Sequence, residues 1–362
     1  MAQQQRAAKS KNKVSEADPS VVHQTQVSYL ITFLGDTWCM GSEPASKKSG
    51  KERPWRLLLW SLAAGLLCWA VQLGDPLDKI LKTARNSFHQ TEASGEIVFV
   101  GIDDKSLQEV GAWPWSRTVQ AKLIDRATAA GVSSIHLDIV YDNPAAPSAD
   151  DAFEDALRRS GKVVLADRHM LGTWSDIKAP ETRPLPRFTR YARTASISTV
   201  YDFRAAVWSG TLRANIEGRS VPTFAASLAG RTSEPNRDFW IDYSIDPDTV
   251  PHLPAADLLA GKFPESGLRG KKVIVGLNAD QLGDQYWLPG YGRMAGAYVH
   301  ILGAETLKRG TPVNLGGLPA LAVAFLAALW AVFGKRPRYI APLVLGSAAA
   351  VVFIGPFFLE LN

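Results

Sequence analysis

The chain has 362 residues, enough for about two domains or one large domain with appendages, and is 46% hydrophobic and 21% charged. A mean hydropathy of −0.05 excludes both a disordered chain and one that is mostly membrane. The net charge of +5 and pI of about 9.1 invite nucleic acid as a partner, but residues 1–56 carry +4, residues 335–362 carry +2 and the stretch between them carries −1, so no basic patch serves that reading.

Residues 1–54 read as a cytoplasmic N-terminal tail. Within it Val27–Met40 is apolar but interrupted by Asp36, too short to span and suited to an interfacial or docking helix. Leu57–Leu73 is the first of three uncharged apolar runs. Leu315–Phe333 and Tyr339–Leu359 are the others, the last extended to a span over 339–361. Runs of 17, 19 and 21 residues match the roughly 17–25 that a helix needs to cross a bilayer. Lys47, Lys48, Lys51, Arg53 and Arg56 precede the first run, and Lys335, Arg336 and Arg338 separate the second from the third. The positive-inside rule puts both basic loops in the cytoplasm and residues 75–314 outside, as a periplasmic or extracellular domain of a multi-pass inner-membrane protein. The first run acts as a signal anchor. Three spans then carry the C-terminus outside, so an output domain is expected beyond Asn362 or on a partner.

The outside segment reads as α/β with a mostly parallel sheet. Strands are expected at Glu96–Ile102, Ser134–Val140, Lys162–Ala166 and Lys272–Leu277. Helices are expected at Ser116–Ala130, Ala149–Ser160 and Ala297–Arg309, with Ser116 as an N-cap and Gly131 and Gly161 as stops. Strand–helix–strand alternation with short links argues a parallel sheet. Over 167–260, Ser196–Tyr201 and Trp240–Tyr243 read as strands and Val221–Ala229 as a helix with Pro222 in its first turn. Gly290, Gly292 and Ala295 read as a loop.

Ligand sites of open α/β sheets lie at the carboxyl ends of strands. Asp103 and Asp104 stand at the carboxyl end of the first strand, Asp138 near the end of the second with Asp142 just after it, and Asn278 and Asp284 follow the last, so Asn278 and Asp284 are expected to join Asp103 in one pocket. Two readings stand for Asp103 and Asp104: a ligand or cation role, or capping of a short helix over 105–109. Two stand for Trp113-Pro114-Trp115: a stacking surface, or a cover for the sheet edge. Arg117 is expected to pair with one of the carboxylates. The six histidines lack metal-ligand spacing, and His300 reads as a packing residue. Two cysteines, Cys39 and Cys68, exclude a disulfide framework and a multi-cysteine zinc site. No nucleophile with an adjacent base is visible, so no catalytic residue, metal or cofactor is assigned, and a carboxylate-and-cation hydrolase ranks last.

Several stretches together resemble one family. They are IVFVGIDDKSLQEVGAWPWSR (97–117), AGVSSIHLDIVYD (130–142), DDAFEDAL (150–157), GRSVPTFAASLAG (218–230), KKVIVGLNADQLGD (271–284) and GAYVHILGAETLKRG (296–310). In this order they are similar to the type 2 CHASE sensor domain, an extracytoplasmic input module of bacterial signalling receptors. The resemblance implies a sensor of undefined ligand, usually fused to a histidine kinase, nucleotide cyclase, diguanylate cyclase or phosphodiesterase. Thr223 stands where the family usually has Ser, His300-Ile301-Leu302 departs from the usual helix start, and two spans follow the domain where three are usual. The implied partners are an extracytoplasmic small ligand or envelope component, the lipid bilayer, and a second copy of the chain or another membrane signalling protein. The alternative is a structural or scaffold subunit of an envelope complex, docking a cytoplasmic partner through its N-terminal tail.

Overall fold

The short apolar runs of the outside segment, together with two more polar segments at 193–196 and 252–254, become six strands of one parallel sheet. The computed structural model describes residues 75–168, 182–202, 204–216 and 218–311, with four isolated positions, Leu59, Ala63, Phe325 and Gly346. The strands are β1 (Ile97–Ile102), β2 (Ser134–Leu137), β3 (Val163–Asp167), β4 (Arg193–Ser196), β5 (His252–Pro254) and β6 (Lys272–Leu277). Their spatial order is β5-β1-β6-β2-β3-β4, and every neighbouring pair is parallel. The chain steps outward from β1 through β2 and β3 to β4, leaving a gap beside β1. It then returns to place β5 on the far edge and β6 in the gap.

Helices cover both faces. Those longer than one turn are α1 (Asp75–Phe88), α2 (Asp104–Val110), α3 (Arg117–Ala129), α4 (Pro147–Ser160), α5 (Phe224–Ala229), α6 (Ala255–Ala260) and α7 (Ala297–Arg309), with single turns at Pro186–Thr189 and Glu265–Leu268. Ser116 caps α3 by accepting the Val119 N–H, and α4 stops at the expected Gly161. The side-chain period of two along each strand divides the core in two. Ile97 and Phe99 of β1, with Ile274 of β6, pack on α5 and α7. Val98, Val100 and Ile102, with Val273 and Val275, pack on α3, α4 and α6. Residues such as Phe99, Phe153 and Phe224 are wholly buried, each worth about 1.5–3 kcal/mol of transfer free energy. Strands buried on both faces read as continuous apolar runs, which is why the parallel sheet was visible in the sequence.

Several local expectations are corrected. β2 ends at Leu137, three residues short of Val140, because the Asp138 N–H still bonds Val275 O (2.8 Å) but the ladder to β3 stops at Leu137. Pro222 ends a strand, Arg219–Pro222, hairpinned to Arg213–Ile216, and the helix starts at Phe224. Thr223 caps it, accepting the Ala226 N–H at 3.3 Å while donating to Thr211 O at 2.8 Å. The stretch read as a loop around Gly290 and Gly292 is an antiparallel hairpin of β7 (Gln285–Leu288) and β8 (Gly292–Ala295). The strands expected at 196–201 and 240–243 fall earlier, at Arg193–Ser196 and Asp238–Trp240. Helix α1 was not foreseen. It docks by cations on rings, Lys82 lying 4.1 Å from the Trp240 ring and Lys79 lying 5.3 Å from the Trp208 ring.

Among the described residues no helix is long and apolar enough to cross a membrane. The runs 57–73, 315–333 and 339–361 and the helix expected at 27–40 lie outside the described residues, apart from the four isolated positions, all helical.

Candidate functional site

The strand order creates two crevices at the carboxyl ends, one on each side of β6. The connection leaving β6 enters α7 on one face of the sheet, while those leaving its neighbours β1 and β2 enter α2, α3 and α4 on the other. Where neighbouring connections part to opposite faces, the backbone opens and a ligand can enter.

The β1/β6 crevice is filled by the protein. Asp103 caps α2, accepting the Ser106 N–H at 2.8 Å. The buried Ser106 hydroxyl contacts Gly101 O at 3.4 Å and accepts the Ala256 N–H at 3.1 Å. Gly101 is crowded: a Cβ there would lie 2.6 Å from His252 Nε2 and 3.2 Å from Asn278 Cβ. Asp104 is exposed in the first turn of α2.

The β6/β2 crevice is open. It forms a cleft of ≈ 780 Å³ lined by Asp138 after β2, Arg168 after β3, Tyr201 beyond β4, Leu277 of β6, and Asp284 and Tyr286 at the start of the hairpin. Trp113, Trp115 and Arg117 form the opposite wall. The expected single pocket is therefore corrected. Asp138, Asp284, Trp113, Trp115 and Arg117 meet, while Asp103, Asp104 and Asn278 belong to the neighbouring crevice and its helix. β6 runs between the two groups and separates them.

The two Trp side chains divide the roles foreseen for them. Trp115 is buried and donates its indole N–H to Gly111 O at 2.8 Å, and Trp113 stands edge-on to it at 5.8 Å. Trp115 is thus a cover that also walls the cleft, and the half-buried Trp113 presents the accessible ring. The peptide bond between Trp113 and Pro114 is cis. Arg117 pairs with a carboxylate that was not a candidate: it donates to the buried Asp150 of α4 and to Asn143 O, with its guanidinium 5.0 Å from the Phe188 ring. Ala145 N–H donates to the other oxygen of Asp150 at 3.2 Å. The pair welds α3 to α4 behind the cleft wall.

Asp138 and Asp284 have no such partners. Asp138 is nine-tenths buried, and no hydrogen bond reaches its carboxylate from the described residues. Burial first, and the Asp284 charge second, hold the Asp138 carboxyl well above the ordinary range. Burial also raises Asp284, against a smaller opposing pull from Arg168. The charge of each carboxylate opposes ionisation of the other, which favours a retained proton or the uptake of a cation. Tyr286 is pushed up to about 12 by burial and by both Asp charges, so its hydroxyl stays a donor. Arg168, Tyr201 and Tyr286 were missed in the sequence. The rule that found Asp103 and Asp138 applies equally to Arg168, which directly follows the apolar run of β3. Tyr201 and Tyr286 carried no such signal.

Asp284 also touches the last helix. Gly296 opens α7 and donates its N–H to Asp284 O at 3.0 Å. A Cβ on Gly296 would lie 2.9 and 3.0 Å from the two Asp284 carboxylate oxygens and 3.1 Å from Tyr286. The carboxylate thus rests on the positive end of α7.

The histidines lie elsewhere. His300 is buried against Phe224, and burial lowers it to about 4. His136 meets the Ser227 hydroxyl at 2.9 Å, but burial drops the imidazole to about 3, which leaves it a poor base for activating that hydroxyl. Among the described residues no group of three or more His, Cys, Asp and Glu side chains could hold a metal ion.

The family model for the CHASE2 domain matches residues 57–335. The chain belongs to the CHASE2 domain family. A CHASE2 domain is an extracytoplasmic sensory domain of signalling receptors, and the doubly covered parallel sheet described above is its form in this chain. No curated protein and no solved structure matches the chain.

Proposed function

We propose that residues 75–314 are the sensing body of a membrane receptor, anchored by the apolar runs 57–73, 315–333 and 339–361, and that a ligand in the β6/β2 cleft acts on the membrane through α7. The contact between Asp284 and Gly296 carries this reading. A ligand that changes the charge or position of Asp284 acts directly on the first turn of α7, whose last residue, Arg309, stands six residues before Leu315. A packed element touched by the ligand at one end and leading toward the bilayer at the other is a two-state lever, which a ligand biases by preferring one arrangement. The CHASE2 match begins with the first apolar run and ends just past the second, in keeping with runs that belong to the same unit. The isolated described positions within the runs are helical, with Leu59 and Phe325 about half exposed, in keeping with faces turned to lipid.

Accessibility labelling of the full chain tests the topology. Cys39 and Cys68 are replaced by Ser, and a single cysteine is introduced as Ser233→Cys or Pro337→Cys. A membrane-impermeant maleimide should label the first in intact spheroplasts and the second only after lysis. The reverse pattern, or labelling of both only after lysis, overturns the anchoring.

A further inference from the structure

We propose that the β6/β2 cleft binds a small organic cation, its ammonium group held between Asp138 and Asp284 and its hydrocarbon against Trp113, Tyr201 and Tyr286. This rests on the reading of the cleft as the ligand site and adds the chemistry of the ligand.

Three observations converge. The first is the unpartnered carboxylate: Asp138 is nine-tenths buried, lines the cleft, and receives no hydrogen bond from the described residues. A buried polar group left unmatched is costly, and one facing an open cavity is matched by what enters it. The second is the wall. Tyr201 and Tyr286 stand 6.1 Å apart at 57°, with Trp113 across the cleft. Aromatic faces attract ammonium groups and bury the methylenes behind them. The third is size. The ≈ 780 Å³ volume suits a small organic molecule rather than a bare ion. Two carboxylates are also a thin ligand set for Ca²⁺ or Mg²⁺, which take about six or more oxygens.

Charge selects the sign of the ligand. The other charged and titratable groups lining the cleft with the pair are Tyr141 after β2, Arg168 after β3, Tyr201 beyond β4, Tyr286 on β7 and Arg117 at the start of α3. Arg117 is paired with Asp150, and burial holds the Tyr141 and Tyr286 hydroxyls above their ordinary range, so Arg168 at the exposed rim is the one cation among them opposing the two carboxylates. A bound ammonium favours the ionised carboxylates, so its binding releases to solvent the proton that the raised Asp138 carboxyl holds. Affinity therefore rises as pH rises through the range in which the pair loses that proton.

The test uses the full chain in lipid nanodiscs with four matched probes: n-butylamine, 1,4-diaminobutane, n-butyrate and n-butanol, with Mg²⁺ as a further control. At millimolar concentration the two amines should raise the unfolding temperature, and butyrate, butanol and Mg²⁺ should not. Asp138→Asn and Asp284→Asn should each weaken amine binding about tenfold or more. Wild-type affinity should climb as pH rises above the ordinary carboxylate range, with protons released to the buffer. Stabilisation by butyrate or butanol, lost on Ala145→Trp at the cleft wall, would sink the cation while leaving the cleft as a ligand site. An equal effect of Mg²⁺ would replace the organic cation by a metal. Amine binding unchanged in both Asn variants, or no amine effect at any pH, overturns the proposal outright. An amine effect in a chain whose labelling pattern is reversed would instead refute the anchoring and keep the cation site.

Discussion

The two crevices beside β6 are built from the same materials, and only one is open. Each has an aspartate directly after a parallel strand, and each lies where connections part to opposite faces of the sheet. At the β1/β6 crevice Asp103 begins a helix one residue later, so its carboxylate is committed to an N-cap, and Asn278 and His252 close over Gly101. At the β6/β2 crevice the chain runs on from Asp138 for eight residues before α4 starts at Pro147. No backbone amide is presented to Asp138, and the carboxylate stays unmatched. The difference shows that a carboxylate at a strand end is a candidate ligand group only when no helix begins beside it.

Substitution of four aspartates breaks or sharpens this contrast. The largest effect belongs to Asp150, which lines neither crevice. Asp150→Asn strands the buried Arg117 guanidinium and should cost about 3–5 kcal/mol in urea unfolding of the full chain. Replacing both partners by apolar residues, Arg117→Met with Asp150→Leu, should recover most of that loss; a double variant as unstable as the single one would refute the account of the pair. The next effect has the opposite sign. Asp138 is raised in the fold, so its ionisation opposes folding, and stability falls as pH climbs from the ordinary carboxylate pKa of about 4 through the raised folded value. Asp138→Asn should therefore melt above wild type near about pH 8, with the gap closing toward about pH 4. A lower melting temperature at the higher pH would mean that Asp138 has a stabilising partner. Asp103→Ala should cost about 1 kcal/mol through the lost cap, with no dependence on amine probes. Smallest is Asp104→Ala, exposed in the same turn, which should stay within about 0.5 kcal/mol of wild type. An Asp104 effect as large as that of Asp103 would show that net charge at the turn, rather than the hydrogen bond to Ser106, is what matters.

Much of the core was legible because a strand buried on both faces must be apolar throughout. β1, β3 and β6 were placed within a residue, and α7 to its exact ends, for that reason and because α7 is closed by Gly310. The hairpin β7–β8 and the helix α1 were not legible. β7 holds half-buried and exposed residues such as Trp287 in one short run, and α1 packs by lysines on tryptophan rings rather than by an apolar stripe.

The site divides along the same line. The amino-acid order alone determined which residues stand near strand ends, with Asp103 and Asp104 directly after one apolar run and Asp138 near the end of another. It also determined the aromatic turn at 113–115 and the cap at Ser116, which is a local hydrogen bond. Only the tertiary structure decided which strand ends are neighbours. β6 enters the sheet between two strands that precede it by well over a hundred residues, and its position sends Asn278 to one side and Asp284 to the other. Burial, and with it the raised Asp138 carboxyl, follows from that insertion. A pKa depends on what surrounds a group in space, and no periodicity along the chain encodes it.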